Sequence, residues 1–220
     1  MSAVRPEFGP TLPELVGPRI ASWPRAARLA LAAAGALAVV ALAVVLLARG
    51  GDDRQTVVVR EPVAYNLLVE PSLRQVAPRG RETLRLEGAA GAAAPQSFTA
   101  TPLRVRAYRG DVTAVLMGMS PRLIDQMRAT VPGFRWRGDG RVSYNRQPGY
   151  EIVFQARIGG RTTYGRRVLL MPNSETPPRE GADIMMLAAR SDAVPSLPSI
   201  GATGALKTAA RSFRFGTERP

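Results

Sequence analysis

Residues 150–172 read YEIVFQARIGGRTTYGRRVLLMP. Tyr150, Ile152, Phe154, Ala156 and Ile158 recur with a period of two, the period of a strand buried on one side. Gly159-Gly160 supply the positive φ angles of a tight hairpin turn. The chain then returns through a second β-prone run that ends before Pro172. The spacing predicts an antiparallel hairpin with those five residues on the core side. Glu151, Val153, Gln155 and Arg157 fall on the other side, because strand side chains alternate. The return strand adds Tyr164, Arg166 and Arg167 beside them.

The neighbouring segments extend this unit. In FRWRGDGRVSYN (134–145) the Asp139-Gly140 pair predicts an earlier hairpin turn. Asn173 to Gly181 is a polar, proline-bearing loop, and GADIMMLAAR (181–190) is a short continuous apolar strand. SIGATGALKTAARSFRFG (199–216) predicts a short helix and a last strand carrying Phe213 and Phe215. Upstream, Ser120-Pro121 has the form of an N-cap and first-turn proline. The helix it predicts places Leu123, Ile124, Met127 and Val131 on one face and ends at Pro132-Gly133. Earlier still, Thr56 to Arg60, Tyr65 to Glu70 and Arg81 to Glu87 are strand-like, the last with Leu84 and Leu86 on one face. Residues 88–96 form a loop, and Ser97 to Tyr108 is extended but interrupted at Pro102, which suits an edge or a bulge. The fold class expected is α+β, an antiparallel sheet flanked by helices.

A different kind of segment lies near the N-terminus. LALAAAGALAVVALAVVLLA (29–48) carries no charge between Arg28 and Arg49. A helix of roughly 20 residues matches a hydrocarbon core of about 30 Å. The 28 residues before it contain five prolines, a poor leader for a cleaved signal. The expected organisation is a proline-rich cytoplasmic tail (1–28), one transmembrane helix (29–48), a linker (49–55) and an extracytoplasmic domain (56–220). Arginines balance across the span, and a long domain translocates largely regardless of charge. The expected place is therefore the cell membrane, single-pass, with the C-terminal domain outside.

Composition removes many chemistries. The chain has neither histidine nor cysteine. Ser-His-Asp triads, thiol nucleophiles, disulfides and His- or Cys-bearing zinc sites are thereby excluded. No phosphate loop of the G-x-x-x-x-G-K type occurs, and Lys207 has Gly204 three residues before it, so no S-x-x-K pair exists. No cofactor and no metal are expected. Arg109-Gly110-Asp111 matches the tripeptide that integrins bind, a three-residue match that is common by chance. Net charge is +13, with one lysine among 30 basic residues. From residue 55 onward 24 basic residues face 13 acidic ones. Such a balance favours an anionic partner or simply follows an arginine-rich composition; nucleic acid does not fit the expected compartment.

The order of elements and the closing Ser212-Phe213-Arg214-Phe215 resemble the PsbP-like fold over roughly residues 57–216. The tail-span-domain plan, with Asn145-Arg-Gln-Pro148-Gly149-Tyr150 and Tyr164-Gly165-Arg166, is similar to actinobacterial single-pass membrane proteins. The resemblance implies an antiparallel sheet with flanking helices and carries no functional residues across. The function expected is a non-catalytic, membrane-anchored module that binds an envelope protein or assists assembly there. The alternative is capture of an anionic lipid or cell-wall polymer by an Arg/Tyr-rich surface. The candidate binding surface is Arg157, Tyr164, Arg166 and Arg167.

Overall fold

The computed structural model describes residues 54–88, 95–174 and 176–218, together with Pro24. The chain divides into two compact units, Met1–Asp52 and Asp53–Pro220. The expected tail and span belong to the first and lie outside the described residues, Pro24 apart. No helix among the described residues is long and apolar enough to cross a membrane.

In the second unit the strands are β1 (Gln55–Val59), β2 (Tyr65–Val69), β3 (Leu73–Val76), β4 (Leu84–Gly88) and β5 (Gln96–Arg104). Helix α1 (Val112–Thr130) follows, then β6 (Arg135–Tyr144), β7 (Gln147–Ile158), β8 (Arg161–Leu170) and β9 (Glu180–Ala189). A 3-10 turn (Leu197–Ser199), α2 (Leu206–Ser212) and β10 (Arg214–Phe215) complete it. A seven-stranded sheet has the order β3-β4-β5-β9-β8-β7-β6, and a small sheet has the order β1-β2-β10. Every pairing between these strands is antiparallel. The α+β expectation is met, with more sheet than helix.

Register assigns the two faces of the large sheet, since cross-strand partners share a side. Asp139, Ile152, Arg167, Met185, Thr99, Arg85 and Val76 form one continuous row. Gly138, Val153, Arg166, Met186, Phe98, Leu86 and Gln75 form the row on the reverse. Helix α1 packs on the first face over β6 and β7. There Ile152, Phe154 and Ala156 meet Met127, Leu123 and Ile124. The small sheet and α2 cover the reverse face, where Phe98, Leu86 and Met186 meet Tyr65, Leu67 and Phe213.

Several expectations change. Helix α1 begins at Val112, not at Ser120-Pro121. Asp111 is the cap, accepting from the Thr113 N–H at 2.8 Å. Ser120 is instead buried within the helix and donates to Asp139. Pro121 sits inside the helix and has no N–H to return to the Met117 carbonyl. The Asp139-Gly140 pair lies inside β6, paired with Ile152 and Glu151. The turn falls at Asn145-Arg146, with φ of 47° and 65°. Asn145 is fixed there because its amide donates to the carbonyls of Phe213, at 2.8 Å, and Arg211. Ile158, expected in the core, is 38% exposed at the far end of β7. Strand β3 has no counterpart in the expected elements. Pro102 does occupy a local edge. Thr83 donates to Ala100, and Val105 donates to Arg179 on the opposite side, so the proline nitrogen faces the side on which β4 has already ended.

Candidate functional site

Three of the four residues singled out from the sequence share one face of the sheet, and the fourth lies on the other. Arg157, Tyr164 and Arg166 share the reverse face with Val153 and Gln155, and Arg167 lies on the α1 face. Arg167 is half-buried and grips Asp183 with a fork, Nε to Oδ1 at 2.9 Å and Nη2 to Oδ2 at 2.6 Å. Arg166 pairs with Glu151 at 3.5 Å and reaches the Pro198 carbonyl and the Tyr144 hydroxyl. Its Nε is buried without a partner. Tyr164 donates to the Pro195 carbonyl at 3.4 Å. Arg157 is exposed. Around it Arg135 is also exposed, and Arg137 donates to Gln155 at 2.8 Å. The cluster therefore splits into two structural arginines, one tyrosine tied to a loop, and one arginine on an exposed basic corner.

A larger recess lies elsewhere. Helix α1 lies chiefly over β6 and β7, and its first turns also meet Leu103 and Leu169. On the β3–β4–β5 part a cleft of about 550 Å³ opens toward the β7–β8 turn. Its walls include Arg74, Arg85, Glu87, Ser97, Thr163 and Leu187. Thr99, Thr101 and Met185 continue the same half-buried face along the sheet. Arg85 donates to Glu87 at 2.7 Å and to Glu82 at 2.8 Å. That bond from Arg85 holds the Glu87 carboxyl below the usual carboxylate range, with Arg79 and Arg74 adding to the effect. A carboxylate so engaged is a weak proton acceptor, and Glu82 is held by the same guanidinium. Among the described residues no group of three or more Asp, Glu, His or Cys gathers to hold a metal. The floor offers hydroxyls and apolar surface, and the mouth offers guanidinium groups.

Sequence reasoning missed this cleft because it is made by the pairing β4-β5-β9, which no local pattern encodes. The available signal was the alternation of Ser97, Thr99 and Thr101 with Phe98 and Ala100, which marks one polar and one core face.

No protein-family model matches the chain, and no curated protein sequence matches it. Solved structures do resemble it. LpqN of Mycobacterium tuberculosis, described as involved in cell envelope biogenesis, is 14% identical, with a TM-score of 0.46 over 77% of this chain and 93% of that one. Cyanobacterial PsbP from Synechocystis sp. PCC 6803 is 12% identical, with a TM-score of 0.49 over 74% of this chain and 92% of that one. A protein of unknown function from Pseudomonas aeruginosa is 17% identical, with a TM-score of 0.33 over 63% of this chain and 85% of that one.

Proposed function

We propose that this chain is a non-catalytic binding module of the cell envelope, anchored by residues 29–48, whose extracytoplasmic domain docks a protein partner in the cleft beside α1. The observation that carries the reading is the uncovered β3–β4–β5 part of the sheet face. Leu187 and Ile158 give it apolar surface, Ser97 and Thr163 give it hydroxyls, Thr99 and Thr101 continue the face beside it, and Arg74 and Arg85 give it a charged rim. Apolar surface within a polar rim is the anatomy of a protein interface. The absence of histidine and cysteine supports binding over catalysis.

The test places a photo-crosslinking amino acid at Thr99 of the full chain in its native membranes, with a control at exposed Arg122. A discrete adduct from Thr99 alone is expected, and it should disappear with Leu187→Arg. Identical adduct patterns from both positions would remove the cleft as a docking site. A reporter fused after Pro220 checks the topology: activity of an export-requiring reporter is expected, with the protein retained in the membrane fraction.

A second reading rests on the exposed corner of Arg135, Arg137 and Arg157, which suits an anionic lipid or wall polymer. Sedimentation with anionic vesicles that falls steeply with salt and with Arg157→Glu, while the Thr99 adduct is absent, would favour it.

A further inference from the structure

The large apolar side chains most exposed among the described residues are Val58, Met117, Trp136 and Ile158. Met117 (48%) and Trp136 (50%) line one groove between α1 and β6, of about 400 Å³, with Pro121 and Ile124. Asp139, itself exposed, is among its lining residues. The Oδ2 of Asp139 accepts from the Tyr150 hydroxyl at 2.6 Å and from the Ser120 hydroxyl at 3.0 Å.

A bulge assembles this groove. Trp136 and Asp139 are three positions apart, and an odd separation sends side chains to opposite faces of a regular strand. The register shift between Trp136 and Gly138 inserts one residue. Trp136 then pairs with Phe154 and Asp139 with Ile152, so both stand on the α1 face.

The charge at Asp139 runs against its surroundings. In a chain of net charge +13, eight described acids each hold an arginine. Among the described residues Asp139 holds none, as is also true of Glu61, Asp192 and Glu218, and it is fixed by two hydroxyls instead. Arg128, which lines the groove, is engaged with Asp125, and Arg141, two positions beyond Asp139 on β6, with Asp111 at 3.4 Å. An indole ring and a carboxylate that line one groove together recognise a cation. Strand β6 is the outer strand of its sheet, so its outward backbone groups are open to a neighbouring chain.

We infer that this groove receives a lysine or arginine side chain of a partner protein, with the cation stacked on Trp136 and its charge facing Asp139. The site is separate from the β3–β4–β5 cleft and stands whether or not that cleft docks a partner.

Fluorescence of the full chain carrying Trp23→Phe reads the groove directly, since Trp136 is then the remaining tryptophan. The probes are the capped peptides acetyl-Gly-Lys-Gly-amide and acetyl-Gly-Arg-Gly-amide, with acetyl-Gly-Glu-Gly-amide and choline chloride as comparators. A saturable change is expected with the two basic peptides and none with the acidic one. Asp139→Asn, which keeps an acceptor for Tyr150 and Ser120, should weaken the response about tenfold. Met117→Lys, at an exposed position, should abolish it by placing a tethered ammonium in the groove. Equal responses to the Lys and Glu peptides would overturn the inference. So would a response to choline alone, or a response left unchanged by both variants.

Discussion

The ring of Phe154 fills the space over Gly165, its cross-strand partner on β8. A Cβ built on Gly165 would stand 2.1 Å from the Phe154 Cζ and 2.5 Å from Cε1. Phe134 backs the ring, with centroids 5.1 Å apart, and Phe154 itself is fully buried. The glycine of Tyr164-Gly165-Arg166 is thus a packing requirement. It lets an aromatic side chain lie against the sheet beneath α1.

Phe154→Ala should cost about 3–5 kcal/mol, as a large core truncation does. Gly165→Ala should cost about 1–3 kcal/mol, because the ring has to move within a packed core. The two effects should not add. Once the ring is gone the extra methyl meets empty space, so Gly165→Ala should cost little in the Phe154→Ala background. Urea denaturation of the four proteins measures the coupling. Strict additivity would mean that the ring does not lie over the glycine.

The arginines of the β7–β8 hairpin should separate by burial. Arg157→Glu should leave stability within about 0.5 kcal/mol, the usual range for an exposed position. Arg166→Glu should destabilise by about 3 kcal/mol, since it sets two carboxylates side by side where the pair is mostly out of water. The swap Arg166→Glu with Glu151→Arg should recover part of that loss. Thermal melts of the three proteins check this. Equal melting temperatures for both single variants would show that Arg166 is as solvated as Arg157.

These contrasts mark what the sequence could carry. The hairpin at Gly159-Gly160 was legible because alternation and turn chemistry agree over a dozen residues. Leu84 and Leu86 were legible for the same reason. The start of α1 was not. Ser120-Pro121 has the form of a cap, and only the contact of Ser120 with Asp139, nineteen positions away, shows why a serine is buried there. The Asp139-Gly140 turn failed likewise. The true turn depends on bonds from Asn145 to the end of α2, which no window around residue 139 contains. The pairing of Arg166 with Glu151 and of Arg167 with Asp183 is a property of register across strands. Charge counting sees three arginines at the candidate surface, and the fold pairs two of them with acids. The groove at Trp136 depends on a single-residue bulge, and an alternation pattern passes over it.

Stability should fall at both ends of the pH scale, for separate reasons. On the acid side, Glu70 is held below the usual carboxylate range first by a hydrogen bond from Thr208 and then by Arg54. Glu87 is held low first by the hydrogen bond from Arg85. A folded pKa below the unfolded value contributes stability in full above the unfolded value, about 4.3 for glutamate, and loses it as pH falls through the folded one. On the alkaline side, Tyr65 is pushed up to about 12 by burial, and Tyr150 to about 12 first by its hydrogen bond to Asp139 and then by burial. A raised pKa works in the opposite sense. Its contribution is complete below the unfolded value, about 10 for tyrosine, and is lost as pH rises through the folded one. The urea midpoint should therefore hold level from about pH 5 to about pH 9, then decline below about 4 and again above about 10. Absorbance of the tyrosinate form adds a residue-level check. Asp139→Asn removes a negative charge that disfavours the Tyr150 anion, so one tyrosine should ionise earlier in that variant while Tyr65 stays late. A titration curve that Asp139→Asn does not move would mean that the bond between Tyr150 and Asp139 does not form in solution.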